Sequence, residues 1–419
     1  MYNTVFYFAL SSSSIDGKMI LASSHCFVMV PSGSSLPKGN NRWPRFLCKA
    51  SLITDSKSFE VGRFIGSCGF MNVTSYSGRV SGVDIEWSPR DLEGLKTQDV
   101  GEGSVSIRLY EGRITQGPSR GTPVIFKVYP GKLMGGIEAD WMAANELNAH
   151  ASLQTISDAC ENIAILAGGF ETQTGEQWLA FHDSGKYTAA DYAKFASDRV
   201  SKQLPSADNV WTRMQRDEII KRRRYFITKL LHGAMKGLAF MHKHDRLHQS
   251  LGPFSVSLNT MMERDSSFLV SRLRDFAFSV DVSISSIEKD PGKFSGDLWR
   301  RAANANATTP FAKRAFGFAD DIYEAGFLLA YLAIVPFCEA GIMDNLSIQR
   351  IIENTFQLDL QATRDYLQAD ERFDEGVRFL DLGNQAGWQL LQAMLNPDFR
   401  KRPIAEAVLN HRFLTGAVL

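Results

Sequence analysis

Apolar and polar positions follow two different rhythms along this 419-residue chain, and the change falls near residue 188. Before it, short apolar runs alternate with clusters of Gly, Ser and Pro, the spacing of strands and turns. Phe59–Ile65, Ser104–Tyr110, Pro123–Tyr129, Asn162–Gly168 and Gln177–Phe181 are the predicted strands, with a hairpin turn at Thr172–Gly175 between the last two. One helix interrupts them over 137–154, where Ile137, Trp141, Ala144, Leu147 and Ala151 recur at helical spacing. Beyond residue 188 the rhythm is helical. Ile219–His242 is long and amphipathic, with Ile220, Ile227, Leu230, Leu231, Leu238 and Met241 along one side. Asp321–Ile334, Leu346–Asn354 and Trp388–Leu395 are further helices. Strands first and helices after predict an α+β fold in two lobes. No internal repeat is visible.

Composition adds limits. At 44% hydrophobic and 22% charged the chain is ordinary globular protein. Its 46 basic and 46 acidic residues cancel, which removes the broad positive field of a nucleic-acid binder. The five cysteines, Cys26, Cys48, Cys68, Cys160 and Cys338, are far apart and form no Cys-x-x-Cys pair, so they read as reduced thiols. No apolar stretch reaches the roughly 18 residues a membrane span needs. The zero charge hides an uneven distribution. Residues 1–48 hold four basic residues, one acid (Asp16) and nine serines. A Ser-rich, acid-poor, basic leader has the composition of an organellar transit peptide, and its serines favour the plastid. A start at Met19 instead of Met1 would discard Asp16 as well. The remainder is slightly acidic. Chloroplast localisation, soluble or peripherally attached, is the expectation.

The chemistry is concentrated in a few ordered segments. His248-Gln-Ser250-Leu-Gly252-Pro-Phe-Ser255 follows the long helix and precedes the apolar Val256-Ser-Leu258. It resembles the catalytic loop of a protein kinase, His-Arg-Asp-Leu-Lys-Pro-x-Asn, with His248, Leu251 and Pro253 matching. Asp275-Phe276-Ala277 resembles Asp-Phe-Gly, and Asp321-Ile-Tyr-Glu-Ala-Gly326 resembles the Asp-x-Trp-Ser-x-Gly helix. Leu391–Asp398, Arg402-Pro403 and His411-Arg-Phe413 resemble the closing helices of that family. Upstream, Val124-Ile-Phe-Lys127 looks like Val-Ala-Ile-Lys, and Glu146 stands nineteen residues later in a helical segment. The resemblance spans roughly residues 100–415 and implies a bilobal protein-kinase-like fold, with a strand-rich N-lobe over 101–183 and a helix-rich C-lobe over 184–419. Residues 1–50 are then the transit peptide, and 51–100 an extension or insertion leading into the N-lobe.

By that resemblance Lys127 would hold ATP phosphates, Glu146 would fix Lys127, and Asp275 would hold Mg²⁺. His248, Asp321 and Arg402 would be structural. The loop nevertheless departs from the pattern where the chemistry is done. Ser250 occupies the position of the catalytic carboxylate, Gly252 that of the lysine, Ser255 that of the Mg²⁺-ligating asparagine, and Gln249 that of the arginine. A serine has no negative charge at neutral pH with which to take a proton. Asp245 is a nearby carboxylate, but it reads as a turn residue. The Gly-rich lid has two candidates. Gly101-Glu-Gly103-Ser-Val-Ser106 adjoins a strand and is preferred over Ile65–Val73, which carries Gly66 and Gly69. Both lack a full set of glycines, so ATP and Mg²⁺ binding is expected to be weak or absent. Ala277 replaces a glycine, Thr309-Pro310-Phe311 is the nearest match to Ala-Pro-Glu, and Ser279, Ser283, Ser285 and Ser286 are candidate phosphosites. The Lys221–Arg224 run reads as a solvated helix face.

Three functions compete on this reading. A pseudokinase would bind a protein partner in the stroma or at the thylakoid. An active serine/threonine kinase, distantly like the thylakoid state-transition kinases, would work by an atypical loop. A plastid assembly factor would keep the fold with an empty cleft.

Overall fold

The computed structural model describes residues 52–72, 96–99, 105–156, 160–200, 210–289 and 295–418. The leader, Gly101 and Gly103 lie outside these residues. Six strands form one antiparallel sheet in the order β2-β1-β3-β4-β6-β5. They are β1 (Phe59–Asn72), β2 (Lys96–Asp99), β3 (Val105–Ile114), β4 (Pro123–Tyr129), β5 (Leu166–Glu171) and β6 (Gln177–His182). The sheet therefore begins well before residue 101, the boundary expected from sequence. The second lid candidate is not a loop over its described length: Gly66 and Gly69 sit inside β1, in register with Leu109 and Ser106 of β3.

Alternation on β4 decides which way the lysine points. Val124, Phe126 and Val128 face one side, where they pack with Phe59, Ile114 and Ala180. Phe170 and Trp178 stack over that layer at 5.6 Å between ring centroids. Lys127 and Tyr129 take the other side because side chains alternate along a strand. There Tyr129 meets helix α1 (Lys132–Gln154) through Ala139, Met142 and Ala143, together with Leu179 and Phe181 of β6.

The second lobe is built on long helices. After β7 (Tyr187–Thr188), α2 (Ala189–Ser197) starts with a reciprocal cap between Thr188 and Asp191. Helix α3 (Val210–Lys243) buries the stripe read from the sequence, including Ile227, Leu230, Leu238 and Met241, and Phe226 beside it. The Lys221–Arg224 run lies within α3 and is only half solvated. Arg223 is buried, donating to Glu263 at 2.8 Å and to the Pro336 carbonyl at 2.6 Å, because its position on the helix turns inward.

The segment between α3 and the next helices forms short β-pairs. β8 (Arg246–Leu247) pairs with β11 (Val280–Asp281), and β9 (Val256–Leu258) pairs with β10 (Ser271–Leu273) and β7. Helices α4 (Ile284–Lys289), α5 (Gly296–Asn304) and α6 (Pro310–Ile334) follow. Thr309 and Pro310 form the start of α6, with the Thr309 hydroxyl accepting from Ala312 N and Pro310 in the first turn. The match to Ala-Pro-Glu is thus a helix cap, and Phe311 is 71% exposed. Helix α7 (Asn345–Gln349) runs into a wider turn over Arg350–Thr355, and α8 (Leu360–Gln368) follows it. Helix α9 (Asp374–Met394) is broken at Leu382–Gln385, where Gly383, Asn384 and Gln385 have positive φ. Among the described residues no helix is long and apolar enough to cross a membrane.

Gly168 tests how the chain enters the sheet. A Cβ there would sit 2.0 Å from the Ile53 carbonyl oxygen, a backbone atom that cannot swing aside. Ile53 N donates to Ala167 O at 3.0 Å, and Gly169 N donates to Ile53 O at 2.9 Å. Gly168→Ala should raise amide hydrogen exchange at Ile53 and Gly169 by about tenfold or more while β3 and β4 keep their protection. Unchanged exchange at those two amides would contradict the packing.

Candidate functional site

Three charged groups from three elements meet under the sheet. Lys127 of β4 donates through Nζ to both carboxylate oxygens of Glu146 on α1, at 2.8 and 2.7 Å. The same Nζ donates to Asp275 Oδ1 at 2.7 Å. Lys127 is 6%, Glu146 0% and Asp275 5% exposed, so the cluster is almost wholly out of water. Removing charges from water is expensive, and such a group survives only when each charge is matched at close range. Tyr129, two residues along the same strand face, donates its hydroxyl to Glu146 Oε2. Arg274 Nε lies 3.1 Å from Asp275 Oδ2. Two cations therefore oppose two carboxylates.

Asp275 is held in the left-handed region, at φ 68° and ψ 56°. That conformation costs a non-glycine residue on the order of 1 kcal/mol. Phe276, which follows it, is fully buried and fixes the turn. Its ring stacks on His150 at 4.2 Å between centroids and meets His248 edge-on at 5.3 Å. His150 in turn meets Phe181 edge-on at 4.9 Å. Burial, and then the Lys127 charge, bring the His150 pKa down to about 3. It is a neutral ring in an aromatic column. Ala277, where the sequence resemblance would place a glycine, lies in a short helical turn over Phe276–Phe278 and needs no positive φ.

The loop after α3 hangs from Asp321. This carboxylate is fully buried on α6 and accepts from the backbone N–H groups of His248 (2.8 Å) and Gln249 (2.9 Å). His242 Nε2 lies 2.9 Å from Oδ2, the oxygen that also takes the His248 N–H, and Gln249 Nε2 donates to Oδ1 at 3.0 Å. Glu324, one helical turn on, accepts from Leu251 N at 2.9 Å. Gln249 thus turns inward to the Asp320–Asp321 pair, where Arg301 of α5 also binds Asp320 at 2.8 Å. Arg402 supports the far side of α6 by donating to the Ala319 carbonyl at 3.1 Å and lying 4.4 Å over the Tyr323 ring.

Within that frame the altered positions are occupied by backbone work. Ser250 Oγ donates to the Asp275 carbonyl at 3.1 Å. His248 Nε2 lies 3.1 Å from the Arg274 carbonyl, which assigns it the ring proton, so Nδ1 accepts from Ser250 N at 3.3 Å. The Ser255 hydroxyl accepts from Gly252 N and donates to Gly252 O, both at 2.9 Å. Asp245 is engaged elsewhere. It sits at φ 55° in the turn after α3 and accepts from Arg314 Nε at 2.8 Å. Ser279 is buried and donates to the Leu247 carbonyl at 2.6 Å, which removes it from the exposed candidate phosphosites.

Lys127, Glu146, Asp275, His248, Ser250 and Asp321 are thus brought into one region. Arg274, Tyr129 and His150 were not singled out from the sequence. Two signals were available: Tyr129 shares the strand face of Lys127 at a spacing of two, and His150 shares the helix face of Glu146 at a spacing of four.

No protein-family model and no curated protein matches the chain. A solved structure described as a Stt7 homolog from Micromonas algae soaked with ATP is similar, with a TM-score of 0.51 at 15% identity. The match covers 91% of this chain and 97% of that one. The fold is α+β, bilobal and protein-kinase-like, with the sheet in the N-lobe and the helices in the C-lobe.

Asp275 also sets a pH dependence. Burial pushes its carboxyl up, but the charges of Lys127 and Arg274 and the Lys127 hydrogen bond outweigh burial and hold it at about 2. A carboxyl held below its unfolded value stabilises the folded chain fully above about pH 4, and that contribution is lost as pH falls toward about 2. Asp275→Asn should therefore cost about 2 kcal/mol at pH 7. It should also flatten the loss of melting temperature between about pH 4 and 2. An unchanged acid limb in the variant would show that Asp275 is not the group responsible.

Proposed function

We propose that this chain is a nucleotide-binding pseudokinase of the plastid, acting on a protein partner as a regulator or scaffold. The observation that carries the reading is Ser250. At the position where a protein kinase places its base, the chain has a neutral hydroxyl bonded to the Asp275 carbonyl. Without a positioned base, phosphoryl transfer slows by about 10²–10⁴. The intact Lys127–Glu146 pair and the adjacent Asp275 support a retained nucleotide site. They also favour the second reading, an active serine/threonine kinase. The Stt7 homolog was soaked with ATP, which fits either reading. The plastid address rests on the composition of residues 1–48.

A transfer assay with labelled ATP separates the two. The wild-type chain should show no transfer to itself or to a plastid extract above that of Asp275→Asn. Transfer at the rates of active kinases, about 1–100 s⁻¹, would establish the second reading. The triple variant Ser250→Asp, Gly252→Lys, Ser255→Asn should raise transfer by about 10² or more if the frame is otherwise sound. A Cβ at Gly252 would meet nothing within 4 Å, so the lysine has room. A fusion carrying residues 1–60 should enter isolated chloroplasts, and its exclusion would remove the address.

A further inference from the structure

The Lys221–Arg224 run divides between two faces of α3. Arg223 turns inward to Glu263 and the Pro336 carbonyl, and Arg224 is half-buried with Nη2 3.2 Å from Glu375. Lys221 and Arg222 face out. They belong to a stripe opposite the buried one, because residues three and four apart share a helix face. Trp211, Met214, Glu218, Arg222, Tyr225 and Lys229 follow at that spacing, and Lys236 and Lys243 continue it. At about 1.5 Å per residue the stripe runs for roughly 50 Å. Its charge is one-sided in a chain whose charges cancel overall. Five basic residues, Lys221, Arg222, Lys229, Lys236 and Lys243, stand against one acid, Glu218, which Arg222 meets at 2.9 Å. Beside the stripe the exposed Arg213 and Arg264 offset Asp217 and Asp265, and Glu161 lies on a neighbouring loop.

The apolar residues of the stripe are large and open to solvent. Trp211 is 70% exposed, and Met214 and Tyr225 are exposed as well. Lys229 Nζ donates to the Ser267 carbonyl at 2.6 Å and ties in the turn over Glu263–Phe268, where Phe268 is 75% exposed. Aromatic rings interleaved with Lys and Arg suit a lipid–water interface: the rings settle at headgroup depth, and the cations meet anionic headgroups. A helix ridge is straight and convex, the shape that lies along a plane. The opposite face of α3 is committed to the core, so the helix rests on a bilayer without crossing it. We infer that this stripe docks the second lobe on an anionic lipid membrane. It shares no residue with the Lys127 cluster and does not depend on nucleotide binding.

The test is sedimentation of the full chain with vesicles of equal parts phosphatidylcholine and phosphatidylglycerol, and with vesicles of phosphatidylcholine alone. The chain should bind the anionic vesicles about tenfold or more tightly than the neutral ones. Salt at about 0.5 M should release it, because screening then shortens the reach of each charge to a few ångströms. The combined variant Lys221→Gln, Arg222→Gln, Lys236→Gln, Lys243→Gln should lose about tenfold or more of that affinity. Its melting temperature should be unchanged, since all four side chains are exposed. Brominated lipid should quench tryptophan fluorescence less in Trp211→Phe than in the wild-type chain. Failure of the wild-type chain to bind anionic vesicles would overturn the inference. Equal binding by the combined variant would assign the contact to another basic surface, such as the leader, and would overturn it too. Binding to poly-glutamate but not to vesicles would replace the lipid with an acidic protein partner.

Discussion

The buried contact of Lys127 with Glu146 and Asp275 joins three segments that are far apart in the chain. One ammonium ties the sheet to α1 and α1 to the loop that crosses from the second lobe. A fully desolvated cation cannot be left unmatched, so the register of β4, the rotation of α1 and the left-handed turn at Asp275 are all constrained together. The aromatic column of His248, Phe276, His150 and Phe181 runs beside it and supplies shape where the ions supply specificity. Between them, the polar and apolar contacts leave the strand, the helix and the loop little freedom to move separately.

Much of this was legible in the order of residues because it depends on period. The alternation in Pro123–Tyr129 puts Lys127 opposite Val124, Phe126 and Val128, and the structure realises that alternation. The stripe on α3 was legible for the same reason. What escaped the sequence depends on contacts between distant segments. Arg223 is buried because Glu263 and the Pro336 carbonyl happen to meet it, and no local pattern reports that. Arg274 next to Asp275 could be seen, but its pairing with the carboxylate depends on a backbone turn with positive φ. The part of α9 before its break at Leu382–Gln385 escaped, since only Trp388–Leu395 was read as helix there. The extent of β1 was underestimated because its glycines look like a loop, whereas its pairing with β3 makes them part of a strand.

The catalytic-like loop separates two things that are easily conflated, the shape of a site and its reactivity. Its shape comes from Asp321 and Glu324, and its side chains at 250 and 255 have turned to backbone partners. Phosphate recognition and protein docking need shape and charge; proton removal needs a specific carboxylate. At position 250 the chain has a serine, bonded to the Asp275 carbonyl.

The way Asp321 holds that loop has a consequence for substitution. The donors it receives from the loop backbone are the N–H groups of His248 and Gln249, and Glu324 receives that of Leu251. Every residue except proline carries such a group. Folding therefore asks little of the side chain at 252, where a Cβ would meet nothing within 4 Å, whereas Ser250 still gives its hydroxyl to the Asp275 carbonyl. The course of the loop is thus set by groups that nearly every residue carries, which leaves position 252 open to change without unfolding the protein.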